Sequence, residues 1–451
     1  MRWMVSELPG GWVETTIGEI CAMGPKSAWD DDMEIGFVPM SHAPTNFRGP
    51  LNYEARRWHE VKKAYTHFEN DDVIFAKVTP CFENGKAALV AGLPNGAGAG
   101  SSEFHVLRRR DAGISPSYLL AVIKSAQFLR EGEENMTGAV GLRRVPRAFV
   151  ENFPVRLPPE AEQKRIAQKL DALLAQVDTF KARIDAIPAL LKRFRESVLT
   201  AATNGNLTED WRTQMGSCEN WTKVELADVA REFSYGSAAK STKQGLVPVL
   251  RMGNIQNRLL DWKDLVFTSD LDEIKKYGLK DGDVLFNRTN SPELVGKTAV
   301  FKGNRDAIYA GYLIKVKCSA RLLPDYLNYC LGSPLGRAYC WKVKSDGVSQ
   351  SNINAKKLAA FTFDLPSVEE QTEIVRRVEQ LFAYADQLEA KVAAAQKRIN
   401  ALTQSLLAKA FRGELVPQDP TDEPASVLLE RIRTQRAAAP KPKRGRKAAT
   451  S

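Results

Sequence analysis

The chain has 451 residues, enough for two to four domains, and its 43% apolar and 26% charged content is that of globular protein. Six scattered cysteines with no CxxC pair argue against structural zinc and a disulfide framework. No run approaches the roughly 18 apolar residues of a membrane span, and MRWMVSELPGG lacks the apolar core of a secretion signal, so a reducing, cytoplasmic setting is expected. The net charge of +10 gathers at one end: from Arg431 onward there are eight Lys or Arg and no acid, leaving about +2 over residues 1–430, so total charge alone is no argument for nucleic acid.

In chain order, residues 1–156 read as a globular domain. It opens on Trp12 in GWVETTIGEI, and in DDVIFAKVTPCFENGKAALV, from Asp71, the runs VIF and AALV read as short strands joined by turn-rich loops. GAGAGSS (Gly96 to Ser102) reads as a flexible loop, and Gly138–Gly141 as a loop before the last strand. Residues 157–203 read as a long helix started by Pro158 and Pro159 and stopped by Gly205, with Pro188 as a candidate kink. A linker, 204–220, leads to a second globular domain, 221–364. Its NWTKVELADV answers the Trp12 segment, and GDVLFNRTNSPELVGKTAV, from Gly282, answers the Asp71 segment at an offset of 211; Gly347–Ser349 answers Gly138–Gly141. A second long helix, 365–411, stops at Gly413. The extension 412–451 is basic and expected to be disordered over 437–451.

The helices betray a repeat. LPPEAEQKRI (Leu157 to Ile166) recurs as LPSVEEQTEI (Leu365 to Ile374), and 15 of 51 positions paired at an offset of 208 are identical. Apolar residues fall in 4,3 spacing at Ile166, Leu170, Leu173, Val177, Phe180, Ile184, Ile187, Leu191, Phe194 and Val198. The second set is Ile374, Val378, Leu381, Ala385, Leu388, Val392, Ala395, Ile399, Leu402 and Leu406. More than four heptads with polar flanks predict a coiled coil, against the alternative of two amphipathic helices on separate cores. Each helix, read as about 38 residues, would be about 57 Å long. The roughly 17 residues before Trp221 span at most about 58 Å, so a parallel pair is barely reachable and an antiparallel one is expected. The predicted fold is α+β: two mixed α/β domains separated by two long helices in an antiparallel coiled coil, a pseudo-twofold tandem repeat.

No catalytic constellation emerges. There is no GxGxxG, no P-loop and no Asn-Pro-Pro-Tyr tetrapeptide of the kind amino-methyltransferases use. The four histidines lie in the first domain without metal-ligand spacing, so no metal is expected. Glu83 with Lys86, and Asp281, Asp283 and Glu293, lack the tighter acidic-x-Lys set of nucleases.

Two domains, two capped heptad helices and no catalytic centre resemble the specificity subunit (HsdS) of type I restriction–modification enzymes. The resemblance spans nearly the whole chain. It is carried by the helix starts at Glu162-Gln163 and Glu370-Gln371, the GxL ends at Gly205–Leu207 and Gly413–Leu415, and GDVLFNRTN at Gly282 to Asn290, answered by AKVTPCFENGK. It implies that each globular domain is a target-recognition domain reading one half of a split, asymmetric site on double-stranded DNA. It implies that the helices set the unread spacer and dock two modification subunits, with two restriction subunits able to join. The subunit itself would be non-catalytic and bind no cofactor, leaving S-adenosylmethionine, ATP and Mg to its partners, in bacterial or archaeal cytoplasm.

Base edges call for Arg, Lys, Asn or Gln, with further basic groups on phosphate. Candidates in the second domain are Arg251, Asn254, Asn287, Arg288, Thr289, Asn290, Gln350, Ser351 and Asn352. Those in the first are Ser41, His42, Lys77, Thr79, Asn84, Lys86, Arg143, Arg144 and Arg147. For each, a solvated loop residue or turn former is the alternative. The rival functions are a DNA-reading subunit of another defence or modification system and a coiled-coil scaffold that binds no nucleic acid.

Overall fold

The computed structural model describes residues 7–139, 141–216, 221–348 and 350–438. It divides into two compact units, residues 1–185 with 394–451, and residues 186–393.

In the first unit an antiparallel sheet has the order Cys21–Met23, Phe104–Arg109, Val73–Ala76, Ala87–Leu89. Val73–Ala76 is buried on both faces, which explains an unbroken apolar run where alternation would mark a half-exposed strand. A second sheet has the order Glu54–Arg57, Glu34–Val38, Ala97–Gly100, Thr66–Glu69, its two middle strands parallel through Gly36 and Gly98. The expected flexible loop at GAGAGSS is therefore wrong for Ala97–Gly100, a fully buried strand. Its small side chains let aromatic rings lie directly on backbone: a Cβ on Gly98 would come within 2.4 Å of Phe68.

The second unit repeats this plan. Its antiparallel sheet runs Ala230–Tyr235, Leu313–Cys318, Val284–Asn287, Thr298–Val300, and a smaller sheet runs Val266–Thr268, Val247–Leu250, Ile308–Tyr309, again parallel at its centre through Val249 and Ile308. In each unit the entry strand is zipped antiparallel to the strand that leads into a long helix: Val13–Thr16 to Pro154–Leu157, and Thr222–Glu225 to Thr362–Leu365.

The long helices are Glu160–Thr203 and Val368–Phe411, 44 residues each, and the first continues through Pro188. Both stop at glycines with left-handed φ, Gly205 at 86° and Gly413 at 71°. Their Glu-Gln starts are buried fasteners. Trp12 Nε1 donates to Glu162 Oε2 at 2.9 Å, and Trp221 Nε1 to Glu370 Oε2 at 2.9 Å. Gln163 Oε1 accepts the Ser115 N–H at 2.9 Å, and Gln371 Oε1 accepts that of Leu323 at 2.8 Å.

In the first unit, Leu174 to Asp185 of one helix lie beside Leu407 to Gln396 of the other, with Gln396 Nε2 donating to Asp185 Oδ1 at 2.9 Å. In the second, Arg195 pairs with Asp386 and Glu389, and Arg377 with Asp210. Within each unit the helical segments are therefore antiparallel. Two seam positions are corrected: Phe180 is 52% and Leu402 43% exposed. A neighbouring residue is the more buried at two places, Leu174 beside half-buried Leu173 and Leu407 beside half-buried Leu406, while Leu191 and Val198 keep the seam spacing beyond Phe180.

The linker residues Glu209–Met215 form a short helix. The extension also contains a helix, Ala425–Ala438, whose Leu428, Leu429 and Ile432 join the core of the first unit. The expectation of disorder from residue 437 is thus corrected at Ala437 and Ala438; the rest of that tail, with Cys218 and Ser349, lies outside the described residues. Among the described residues no helix is long and apolar enough to cross a membrane.

Candidate nucleic-acid interface

In both units the central strand of the antiparallel sheet leaves the core and pairs at once with a small hairpin. In the first unit that hairpin is Thr137–Ala139 with Leu142–Arg144, and Val78 bridges Arg144. In the second it is Ser345–Asp346 with Ser351–Asn352, and Thr289 pairs with Asn352. The same two backbone bonds close both junctions: Val145 N–H to Lys77 O at 2.8 Å with Lys77 N–H to Glu103 O at 2.9 Å, and Ile353 N–H to Arg288 O at 2.9 Å with Arg288 N–H to Tyr312 O at 3.0 Å. Lys77, Glu103 and Arg144 therefore correspond to Arg288, Tyr312 and Asn352.

The junction of the first unit collects Lys77, Thr79, Arg143 and Arg144. Arg144 forms a fork with Glu103, Nε–Oε2 2.9 Å and Nη2–Oε1 2.8 Å, and this hydrogen-bonded guanidinium holds the Glu103 carboxyl below the usual range. Lys77 Nζ donates to Ser102 O at 2.8 Å, Thr79 Oγ1 to Met136 Sδ at 3.5 Å, and Arg143 lies 3.9 Å from Glu83. Arg147 stands apart on the helix Arg147–Asn152, paired with Glu151. A second group gathers at the turn Met40–His42, where Lys86 Nζ donates to Met40 O at 2.8 Å beside exposed Ser41 and half-buried His42. Asn84 instead lines a cavity of about 250 Å³ with Thr45, Lys124 and Gln404. Lys124 is buried there against the carbonyls of Pro44, Thr45 and Gly85, and burial pulls its ammonium down to about 7.

In the second unit, Asn254, Asn287 and Ser351 fall away as base readers, being 3%, 0% and 0% exposed. Asn254 staples its own loop, donating to Asp261 O and Lys263 O and accepting the Arg251 N–H. Asn287 Nδ2 donates to Leu294 O at 3.5 Å, and Ser351 Oγ donates to Asp346. Polar side chains in turns bond nearby backbone, which residue type alone does not separate from exposure. What faces outward is Arg251, anchored to Asp264 O at 3.0 Å, exposed Gln350, and the group of Arg288, Thr289, Asn290 and Asn352. Asn352 Nδ2 donates to Thr289 Oγ1 at 2.7 Å, Asn290 Oδ1 accepts the Ser291 N–H at 2.8 Å, and the Arg288 guanidinium lies 4.6 Å over the Tyr235 ring. The sequence reading missed Tyr235, Glu103 and Tyr312; pairing Glu103 with Tyr312 required the strand register. Among the described residues no group of three or more His, Cys, Asp or Glu is placed to hold a metal ion.

Residues 9–189 and 218–395 each match the model of the type I restriction modification DNA specificity domain. The chain belongs to that family. It is 37% identical over 344 residues to the specificity subunit of the EcoKI type I restriction enzyme of Escherichia coli (strain K12), covering 73% of this chain and 74% of that one. The StySPI specificity subunit of Salmonella potsdam is 36% identical over 354 residues, 76% of each chain. The HsdS subunit from Thermoanaerobacter tengcongensis shares the fold with TM-score 0.62 at 21% identity, over 92% of this chain and all of that one. A chain from a structure of type I restriction–modification complex assembly and conformational transition gives TM-score 0.72 at 21% identity, over 91% of this chain and all of that one. The specificity domain thus occurs twice in a mixed α/β chain, once on each half of the repeat.

Proposed function

We propose that this specificity-family chain is the non-catalytic DNA reader of a type I restriction–modification complex, acting in bacterial or archaeal cytoplasm on a split, asymmetric site. One fold occurs twice with different side chains at the same junction, and this observation carries the reading: two unlike readers suit two unlike half-sites. The long helices would pair as an antiparallel coiled coil that fixes the unread spacer and docks two modification subunits, with two restriction subunits able to join. Phe180 and Tyr384, 52% and 57% exposed on those helices, are apolar surface of the kind a docking partner covers. S-adenosylmethionine for adenine methylation, and ATP and Mg for restriction, would be bound by those partners.

The test is purification with the neighbouring subunits followed by binding at graded salt. Two modification chains should co-elute, and binding to a bipartite duplex should weaken steeply, log K falling by about 0.9 per neutralised phosphate for each tenfold rise in salt. A chain that elutes alone and binds no duplex at low salt would contradict the reading.

A further inference from the structure

We propose that Arg288 reads a guanine in the half-site contacted by the second unit; this rests on the DNA-reading function above. Among the described residues Arg288 is the one candidate cation at either junction whose charged head has neither an ion pair nor a backbone acceptor; Arg143 keeps a loose ion pair with Glu83 at 3.9 Å. At the matching place in the first unit, Lys77 is spent on Ser102 O and Arg144 on Glu103. Among the described residues the Arg288 head makes a single long hydrogen bond, Nη2 to Asn352 Oδ1 at 3.4 Å, while Tyr235 supports the guanidinium face at 4.6 Å.

Tyr235 is itself pinned, its hydroxyl accepting the Ala355 N–H at 3.0 Å. Asn352 is pinned by Thr289 at 2.7 Å. A planar guanidinium stacked on one ring and touched at one edge keeps its orientation without losing its donors. Arg288 Nε is buried with no hydrogen-bond partner among the described residues, so the fork left to face a base edge is the terminal Nη pair, Nη2 keeping a second N–H beside its Asn352 contact. Two parallel donors at that spacing match O6 and N7 of guanine in the major groove, which no other base pair presents together. At the matching position of the first unit Lys77 has no planar fork and the neighbouring Arg144 fork is closed on Glu103. The two half-sites are thereby told apart at one shared position of the fold.

The experiment uses the full chain assembled with its modification subunits, on duplexes carrying every single base-pair replacement in the methylated site. Wild type should lose about ten- to a hundredfold in binding when one G·C pair of the second unit's half-site is replaced. Replacing that guanine by 7-deazaguanine, which lacks only the N7 acceptor, should also weaken wild type. R288A should be indifferent to both changes while discriminating normally everywhere else, and R288K should recover little of the discrimination. Equal weakening of R288A on every duplex would make Arg288 a phosphate contact and overturn the proposal. So would a second half-site in which wild type tolerates 7-deazaguanine throughout. A wild-type complex with no base preference at all would instead overturn the DNA-reading function itself.

Discussion

Glu162 and Glu370 hold the same tryptophan bond in the two units, yet their second oxygens differ. Glu370 Oε1 accepts Thr208 Oγ1 at 2.6 Å and also pairs with Arg212, whereas Glu162 Oε1 has no hydrogen-bond partner among the described residues. At the offset of 208 the partners Thr208 and Arg212 become Val416 and Pro420. Burial consequently raises the Glu162 carboxyl above its ordinary 4.5. A raised acid binds its proton more tightly folded than unfolded, so its contribution to stability falls as pH climbs from about 4.5 through the raised value. E162Q should remove that fall: its melting temperature relative to wild type should increase with pH across this window, and a pH-independent difference would refute the assignment. E370A removes the acceptor shared by Trp221 Nε1, Thr208 Oγ1 and Arg212 and should cost the second unit about 3 kcal/mol in chemical unfolding, a loss that near-neutral unfolding data would contradict. The Glu-Gln pairs were legible in sequence as a repeated motif. Their burial was not, because the partners lie about 50 to 160 residues away, as with Gln163 and Ser115 or Glu370 and Thr208.

At the scale of elements, apolar spacing carried the long helices but not the details of their buried face. Ile166 and Leu170, or Ile374 and Val378, are buried where the 4,3 pattern puts them, whereas Phe180 and Leu402 on the same spacing are exposed. The strand Ala97–Gly100 escaped notice because glycine-rich composition signals looseness, and nothing local says that Phe68 and Leu93 will fill the space its missing side chains leave. The helix Ala425–Ala438 had a readable signal: Ala425, Leu428, Leu429 and Ile432 stand at i, i+3, i+4 and i+7, here overshadowed by the basic tail that follows. Its Arg431 pairs with Asp111, Arg433 with Glu19, and the Ala425 N–H bonds Gly11 O at 2.8 Å. L428A should therefore destabilise the first unit by about 3 kcal/mol, seen as an earlier loss of that unit in calorimetry. An unchanged melting profile would mean that the helix contributes no packing.

For the whole molecule, what the sequence carried best was the duplication, since two copies of one pattern at fixed offsets need no knowledge of packing. It carried the site least well. Asn254, Asn287 and Ser351 have the right chemistry and are buried, while Tyr235 and Glu103 shape the junctions from strands whose register only the fold establishes. In the proposed function each half of the repeat reads its own half of a split target. Methylation-aware sequencing of DNA modified by the reconstituted complex tests it most directly, comparing the native chain with one whose residues 221–364 are exchanged for those of another family member. Adenine methylation is expected in two short motifs separated by a fixed unread spacer, with only one motif changed by the exchange. A single continuous motif, or a change in both halves, would contradict it.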